Sequence, residues 1–303
     1  MYPSWGTPLT IGSDLGLCLH RGFGPTFVLT SQSKQRSGGT VDGPTDGARG
    51  AAVTAEGLGL QGPRGWAFRG VTFDAGPGSL IALEGPSGSG RTCLLLGLTG
   101  RMRATEGHAR VGRHHLPKQL AAVRRISGLG PVPGVTDLEP ALTVAEHLRE
   151  RALLERRFGG PLRGLLRPRA ERAAEMRSRV EAALTAAGLD LGSLPKGRRT
   201  AVRDLERLEA LRLSVALALI GRPRVLGVDD LDLKLSDAER ADAWELLASL
   251  TEGGTTVLAV CSEAPEDAVV VRTGSHGTDQ EQHGTDEDDD KETADALAEA
   301  RRA

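Results

Sequence analysis

Eight consecutive residues, Gly85-Pro86-Ser87-Gly88-Ser89-Gly90-Arg91-Thr92, have the types and spacing to hold an anion. They match the phosphate-loop pattern GxxxxGK[ST] at every fixed position except the lysine, which here is Arg91. In such a loop successive backbone N–H groups turn inward as an anion cradle, and the following helix adds its positive end. Gly85, Gly88 and Gly90 let the main chain approach a phosphate closely, with Ser87 and Ser89 completing the turn. Thr92 would set its hydroxyl on a magnesium ion. Arg91 keeps the lysine's charge but presents a larger planar fork, so the loop is expected to bind phosphate better than it catalyses transfer.

A second stretch adds acid. Val225 to Val228 is a short apolar run closed by Asp229 and Asp230, the form of a magnesium-site strand in a phosphate-loop protein, where Asp229 would hold the ion through water. The plainer reading of the glycine loop is a turn without a ligand. Context argues against it: Ser79 to Leu83 reads as a buried strand and Thr92 to Leu98 as a helix apolar all round, as parallel α/β packing requires.

Composition bounds the rest. The 303 residues, 39% hydrophobic and 26% charged with a net charge of -2, suit one α/β domain with tails. Cys18, Cys93 and Cys261 lie far apart, which points to a reducing compartment and no disulfide framework. An aromatic content of 3% leaves few residues to stack on bases, so no nucleic-acid partner is expected. No stretch approaches about 18 consecutive apolar residues. The first residues lack a basic segment leading into an apolar one.

Residues 1–50 are rich in Gly, Pro, Ser and Thr without periodicity and read as a disordered leader. Ala51 to Phe73 reads as two strands about a turn at 62–65. Gly57, Gly59 and Gly62 match the dinucleotide fingerprint GxGxxG, but Pro63 to Gly65 cannot open the helix that fingerprint needs. Trp66, 25 residues before Arg91, is either an adenine-stacking ring or a half-buried strand aromatic. Gly107 to Leu116 reads as a strand and turn, its His114 and His115 as surface residues.

Helical periodicity covers Val144 to Phe158 and Arg169 to Ala187, the latter stopped by Gly188. Between Arg149 and Arg172 eight arginines accompany three glutamates. That is either a solvated face or a basic surface for anionic lipid, a membrane partner or the chain's own acidic tail. A further helix is predicted over Asp204 to Ile220, a buried strand over Thr255 to Val260 and a closing element over Ala264 to Val271. Residues 272–303 are strongly acidic, with Asp286 to Asp290 unbroken, and read as a disordered tail whose end, Thr293 to Arg302, has helix-forming composition.

The order of these parts resembles the nucleotide-binding subunit of ATP-binding cassette transporters over 51–271, with a helical subdomain at about 131–220. The resemblance rests on GPSGSGRT, on Asp137 to Leu148, on Ala216 to Asp230 and on Gly254 to Val260. It implies a P-loop NTPase (RecA-like) core with an N-terminal antiparallel β part. It also implies ATP and Mg2+ as ligands, an integral membrane protein as partner, a cassette homo- or heterodimer, and a cytoplasmic location at the inner membrane face.

This sequence departs from the family's pattern at several catalytic positions. The signature LSGGQ falls on Leu205-Glu206-Arg207-Leu208-Glu209, setting a carboxylate at Glu206 where a serine should meet a phosphate. The water-polarising glutamate falls at Asp230, a weak catalytic candidate shorter by one C–C bond of about 1.5 Å. The family's glutamine falls near Pro131, its switch histidine at Ser262 and its dimer-facing aspartate at Ser236. Together these changes imply a degenerate cassette with weak or lost hydrolysis. The alternatives are an active ATPase subunit, supported by a second cassette, and a structural module that binds no nucleotide.

Overall fold

Apolar runs of four to six residues are too short for helices, and here they become neighbouring strands. The computed structural model describes residues 50–63, 65–158, 168–231 and 235–274. The first part is antiparallel: β1 (Val53–Gly62) pairs with β2 (Gly65–Ala75) and with β4 (Glu106–Val111), and β5 (His114–Leu116) closes the edge. No helix follows Gly62, as its rejection as a dinucleotide fingerprint required. The second part is a parallel sheet in the order β6 (Ser127–Leu129), β7 (Val225–Val228), β8 (Thr256–Cys261), β3 (Leu80–Glu84), β9 (Val269–Arg272).

Period-two alternation divides this parallel sheet between two cores. Ile81, Leu83, Val225, Leu258 and Val260 face α1 (Arg91–Leu98), which lies between them and Phe68, Leu58 and Val53 of the antiparallel sheet. Leu226, Val228, Val257 and Ala259 face the other way, toward a helical layer of α3 (Val144–Phe158), α4 (Arg169–Ala186), α5 (Arg207–Leu219) and α6 (Asp237–Glu252). The helix α1 is buried along its length from Leu94 to Leu98, which is why its sequence shows no polar face.

Three expectations are corrected. The helix expected from Asp204 starts at Arg207, because Glu206 and Glu209 cap it reciprocally and 202–204 is a separate tight turn. The closing element expected over Ala264 to Val271 is a strand only from Val269 to Arg272, β9, the residues before it being loop and turn. The sequence reading passed over α6, α2 (Leu120–Ile126) and β6 entirely. The expected leader (1–49 of it) and the acidic tail from 275 lie outside the described residues, as do 159–167 of the arginine-rich stretch. Among the described residues no helix is long and apolar enough to cross a membrane.

Phe68 is the fully buried side chain by which the antiparallel sheet grips α1. Phe68→Ala should lower unfolding free energy by about 3–5 kcal/mol, read as a lower denaturant midpoint at unchanged slope.

Candidate functional site

β3 stops at Glu84 and the chain turns through Gly85 to Gly90 into α1. Gly90 is the N-cap, held at φ 80°, and Gly88 shares that left-handed value. A Cβ on Gly90 would lie 1.9 Å from the Ala67 carbonyl oxygen. Ala67 is the extra residue where the β1–β2 register slips between Leu60↔Phe68 and Gln61↔Trp66. The bulge thus pushes backbone against the loop, and only glycine admits it. The first helical bond is Leu94 N–H to Gly90 O at 2.8 Å, so the preceding amides of α1 have no acceptor within the helix and point toward the loop's mouth.

The side chains of the loop divide their work. Thr92, in the first turn of α1, lies close enough to Asp229 at the end of β7 for its hydroxyl to lower the carboxyl's proton affinity. Arg91 sends Nη1 across to the Cys261 carbonyl oxygen, 2.6 Å away at the end of β8. Ser89 faces inward, 5% exposed, with its hydroxyl 2.6 Å from that of Thr273. Its amide donates to Pro86 O at 3.2 Å. Ser89 therefore shapes the cradle from behind. Thr273, 3% exposed, in turn donates its amide to Glu84 O at 2.9 Å and stands where a Cβ on Gly85 would collide with its Oγ1 at 2.5 Å. The sequence carries no mark of Thr273's part, because a lone threonine after a short strand has no pattern.

Asp229 is 3% exposed, and its amide donates to Pro131 O at 2.9 Å. Burial pushes its carboxyl above the ordinary value; the Thr92 hydroxyl pulls it back, the neighbouring Asp230 charge raises it again, and the Asp230 amide and Arg91 lower it. Such a carboxylate is a ready hard-cation ligand, and the Thr92 hydroxyl beside it is the second oxygen Mg2+ would need. Asp230 is exposed and held at φ 51°, a strained value that aspartate tolerates and that turns its amide back onto Asp229 Oδ1 at 3.0 Å. Both acids border a cavity of about 300 Å³ with Pro131, Ala210, Leu211 and Leu235. Cys93 lies nearby, but burial and then Asp229 raise its thiol, which makes it a packing residue.

Trp66 sits on β2 with the Arg69 guanidinium 4.5 Å from its ring centroid and its edge over Gly59. It is half-buried, one residue from the Ala67 carbonyl that meets the loop. At the signature position, Glu206 turns back on its own helix: its side chain takes the Glu209 N–H and its amide donates to Glu209 Oε2 at 2.9 Å. Ser236 does the same for α6 with Glu239. Glu206 and Ser236 are engaged at the starts of their own helices, whereas Arg207 lines the cavity beside Asp229 and Asp230. Gly85, Ser89, Arg91, Thr92, Asp229 and Asp230 are gathered around the loop.

Residues 68–231 match the ABC transporter family. Among relatives, ATP-binding cassette sub-family A member 7 of Rattus norvegicus is 33% identical over 192 residues, which is 63% of this chain and 8% of that protein. The daunorubicin resistance ATP-binding protein of Streptomyces coeruleorubidus is 29% identical over 207 residues, 68% of this chain and 59% of its own. The chain therefore spans less than two thirds of these relatives. A dimeric ATP-binding cassette in a post-hydrolysis state bound to ADP and Pi shares the fold at TM-score 0.54 and 22% identity, covering 70% of this chain and 88% of that one. A nucleotide-free cassette does so at TM-score 0.57 and 17% identity, covering 74% and 88%.

Asp229 generates a stability prediction. A carboxyl raised in the folded state costs nothing below its unfolded pKa; the cost grows as pH rises from the unfolded value to the folded one and is constant above it. In metal-free buffer at neutral pH, Asp229→Asn should stabilise the protein by about 1 kcal/mol, and the gain should vanish in acid when thermal unfolding is followed against pH.

Proposed function

The chain belongs to the ABC transporter family and carries its ATP-binding domain, and from that premise we propose that it binds MgATP at Gly85–Thr92 and signals by occupancy, with hydrolysis weak or lost. The observation that carries this reading is a loop closed around Gly90 that only glycine admits, with Thr92 of the next turn beside the buried Asp229. Bound Mg2+ would offset phosphate charge there, and Thr92 and Asp229 would hold it. The amides of the loop and of the first turn of α1 would take the phosphate oxygens, Arg91 would attract them, and Trp66 would border the base.

The reading of slow turnover rests on residues turned toward the chain itself. Arg91 is bonded to the Cys261 carbonyl, and Glu206 occupies the positive end of α5 with its own carboxylate. A second cassette would meet that carboxylate with its own phosphate, two like charges at a contact that requires attraction. An integral membrane partner and a site of action at the cytoplasmic membrane face are part of the same proposal. So are the boundaries at 51, 131, 220 and 271. Retained turnover is the second reading, favoured by one feature: Asp230 directly follows Asp229 with an exposed carboxylate beside the site.

MgATP at about 100 times its dissociation constant should add about 2.7 kcal/mol to unfolding. Gly90→Val should lose that gain, and no gain in the unaltered chain would leave only the structural-module reading. Phosphate release in the same samples separates the first two readings, since sustained steady-state release selects turnover. Glu206→Ser rebuilds a Ser-x-x-Glu capping box, so stability should change by no more than about 0.5 kcal/mol while ATP-dependent self-association rises. Unchanged molecular mass in MgATP would refute the repulsion argument.

A further inference from the structure

Away from the loop, a groove of about 900 Å³ opens between the α1–α2–β6 edge of the sheet and the helical layer. One side is basic. Arg101 spends its guanidinium on neutral acceptors, the Thr99 carbonyl and the Ser127 hydroxyl at 2.6 Å each and the Ser127 carbonyl at 3.3 Å. Arg124 donates to the Gly100 carbonyl at 3.0 Å, and Arg125 is exposed beside it. Among the described residues none of these three meets a carboxylate. Burial, with Arg124 and Arg151 close by, draws Arg101 down to about 10. The groove's own acids, Asp137, Glu150 and Glu155, belong to the loop and to α3; Glu155 is already paired with Arg151 at 2.7 Å and Asp137 with the Gly134 amide at 2.8 Å. The other side is apolar and uncovered: Val135 is 50% and Leu154 45% exposed, with Leu138 between.

A ligand for this groove needs one acidic face and one apolar face along the same short element. Residues 275–303 hold ten acidic and three basic side chains. At helical spacing within them, Glu292, Asp295 and Glu299 (i, i+3, i+7) share a face while Ala294, Leu297 and Ala298 share the opposite one. The composition is alanine-rich and suits a helix. The reach is sufficient: β9 and β6 are opposite edges of a five-stranded sheet, four strand spacings or about 19 Å apart, whereas the stretch from Gly274 to Glu292 spans up to about 60 Å.

We propose that Glu292–Glu299 of the chain's own tail docks in this groove, its carboxylates on Arg101, Arg124 and Arg125 and Leu297 against Val135 and Leu154. Seated there, the tail closes the groove to any other protein, so that a partner must displace it. Tethering raises the effective concentration to the millimolar range, and a weak contact then suffices. The inference does not depend on nucleotide binding and stands or falls separately from it.

Amide hydrogen exchange in the full chain tests it. Backbone amides of 292–300 should exchange about tenfold more slowly in the unaltered chain than in the double variant Arg124→Glu, Arg125→Glu. Both arginines are exposed, so the variant should fold. Adding Asp295→Lys and Glu299→Lys to that variant should restore the slow exchange. Exchange at the free-peptide rate in the unaltered chain overturns the proposal, as does protection that survives the arginine reversals. Protection that grows with protein concentration also overturns it and makes the occupant a second copy. Protection that requires anionic vesicles overturns it in favour of a membrane surface.

Discussion

The structure is arranged around one buried carboxylate. Asp229 follows β7 with almost no exposure; the amide of Asp230 and its own amide on Pro131 fix its position, and the Thr92 hydroxyl of α1 stands close enough to lower its proton affinity. A charge in that place raises its own proton affinity and draws a cation or a donor to itself. The parallel sheet, the bulge at Ala67 that seats Gly90 and the inward pair Ser89–Thr273 all serve to bring the first turn of α1 over this group. Removing any of them leaves the acid buried without the partner that makes its burial tolerable.

A second regularity concerns where polar groups point. In the pattern this sequence resembles, the loop cation, the signature helix and the residue after the magnesium strand face a ligand. Here Arg91 reaches a strand carbonyl, Glu206 caps its own helix and the Asp230 amide returns to Asp229. Arg91 and Glu206 thereby satisfy groups of the chain itself, which lowers the free-energy gain left for a ligand to supply, while the Asp230 carboxylate stays exposed. The proposal of binding without efficient turnover draws on this difference. In that proposal the cradle is made of backbone, whereas Arg91 and Glu206 are side chains bonded within the chain.

The fold was legible where sequence order and space coincide. Val144 to Phe158 and the glycine loop read directly because period and cap signals lie within a few residues. The start of α5 misled because the capping box there uses Glu206 in place of the expected serine or threonine, a carboxylate in a hydroxyl's role. The helix α6 was missed although Ser236 and Glu239 spell the ordinary box, since its apolar positions Ala243, Leu246, Leu247 and Leu250 are diluted by polar residues. At the site, Thr92 and Asp229 could be paired from their motifs, but the Thr273 contact could not. It joins residues 184 positions apart through nothing but tertiary packing.

That tertiary layer also bears on how occupancy could be felt at a distance. β7 is shared: Val225 packs toward α1 and the antiparallel sheet, while Leu226 and Val228 pack toward α5 and α6. Asp229 continues that strand, and the Pro131 carbonyl it holds opens the segment leading to Val135 and the arginine groove. A cation that neutralises Asp229 would act on a residue that adjoins Thr92 of α1 and is bonded through its own amide to the chain leaving β6. Close-packed cores respond to such a change by repacking between discrete arrangements rather than by smooth deformation. The helical layer is the side free to respond, because the opposite core is clamped by Phe68, α1 and two sheets. The proposed nucleotide site and the groove are thus joined along the chain by β7, Asp229 and the segment from Pro131 to Val135, a connection that would not require the nucleotide to be split.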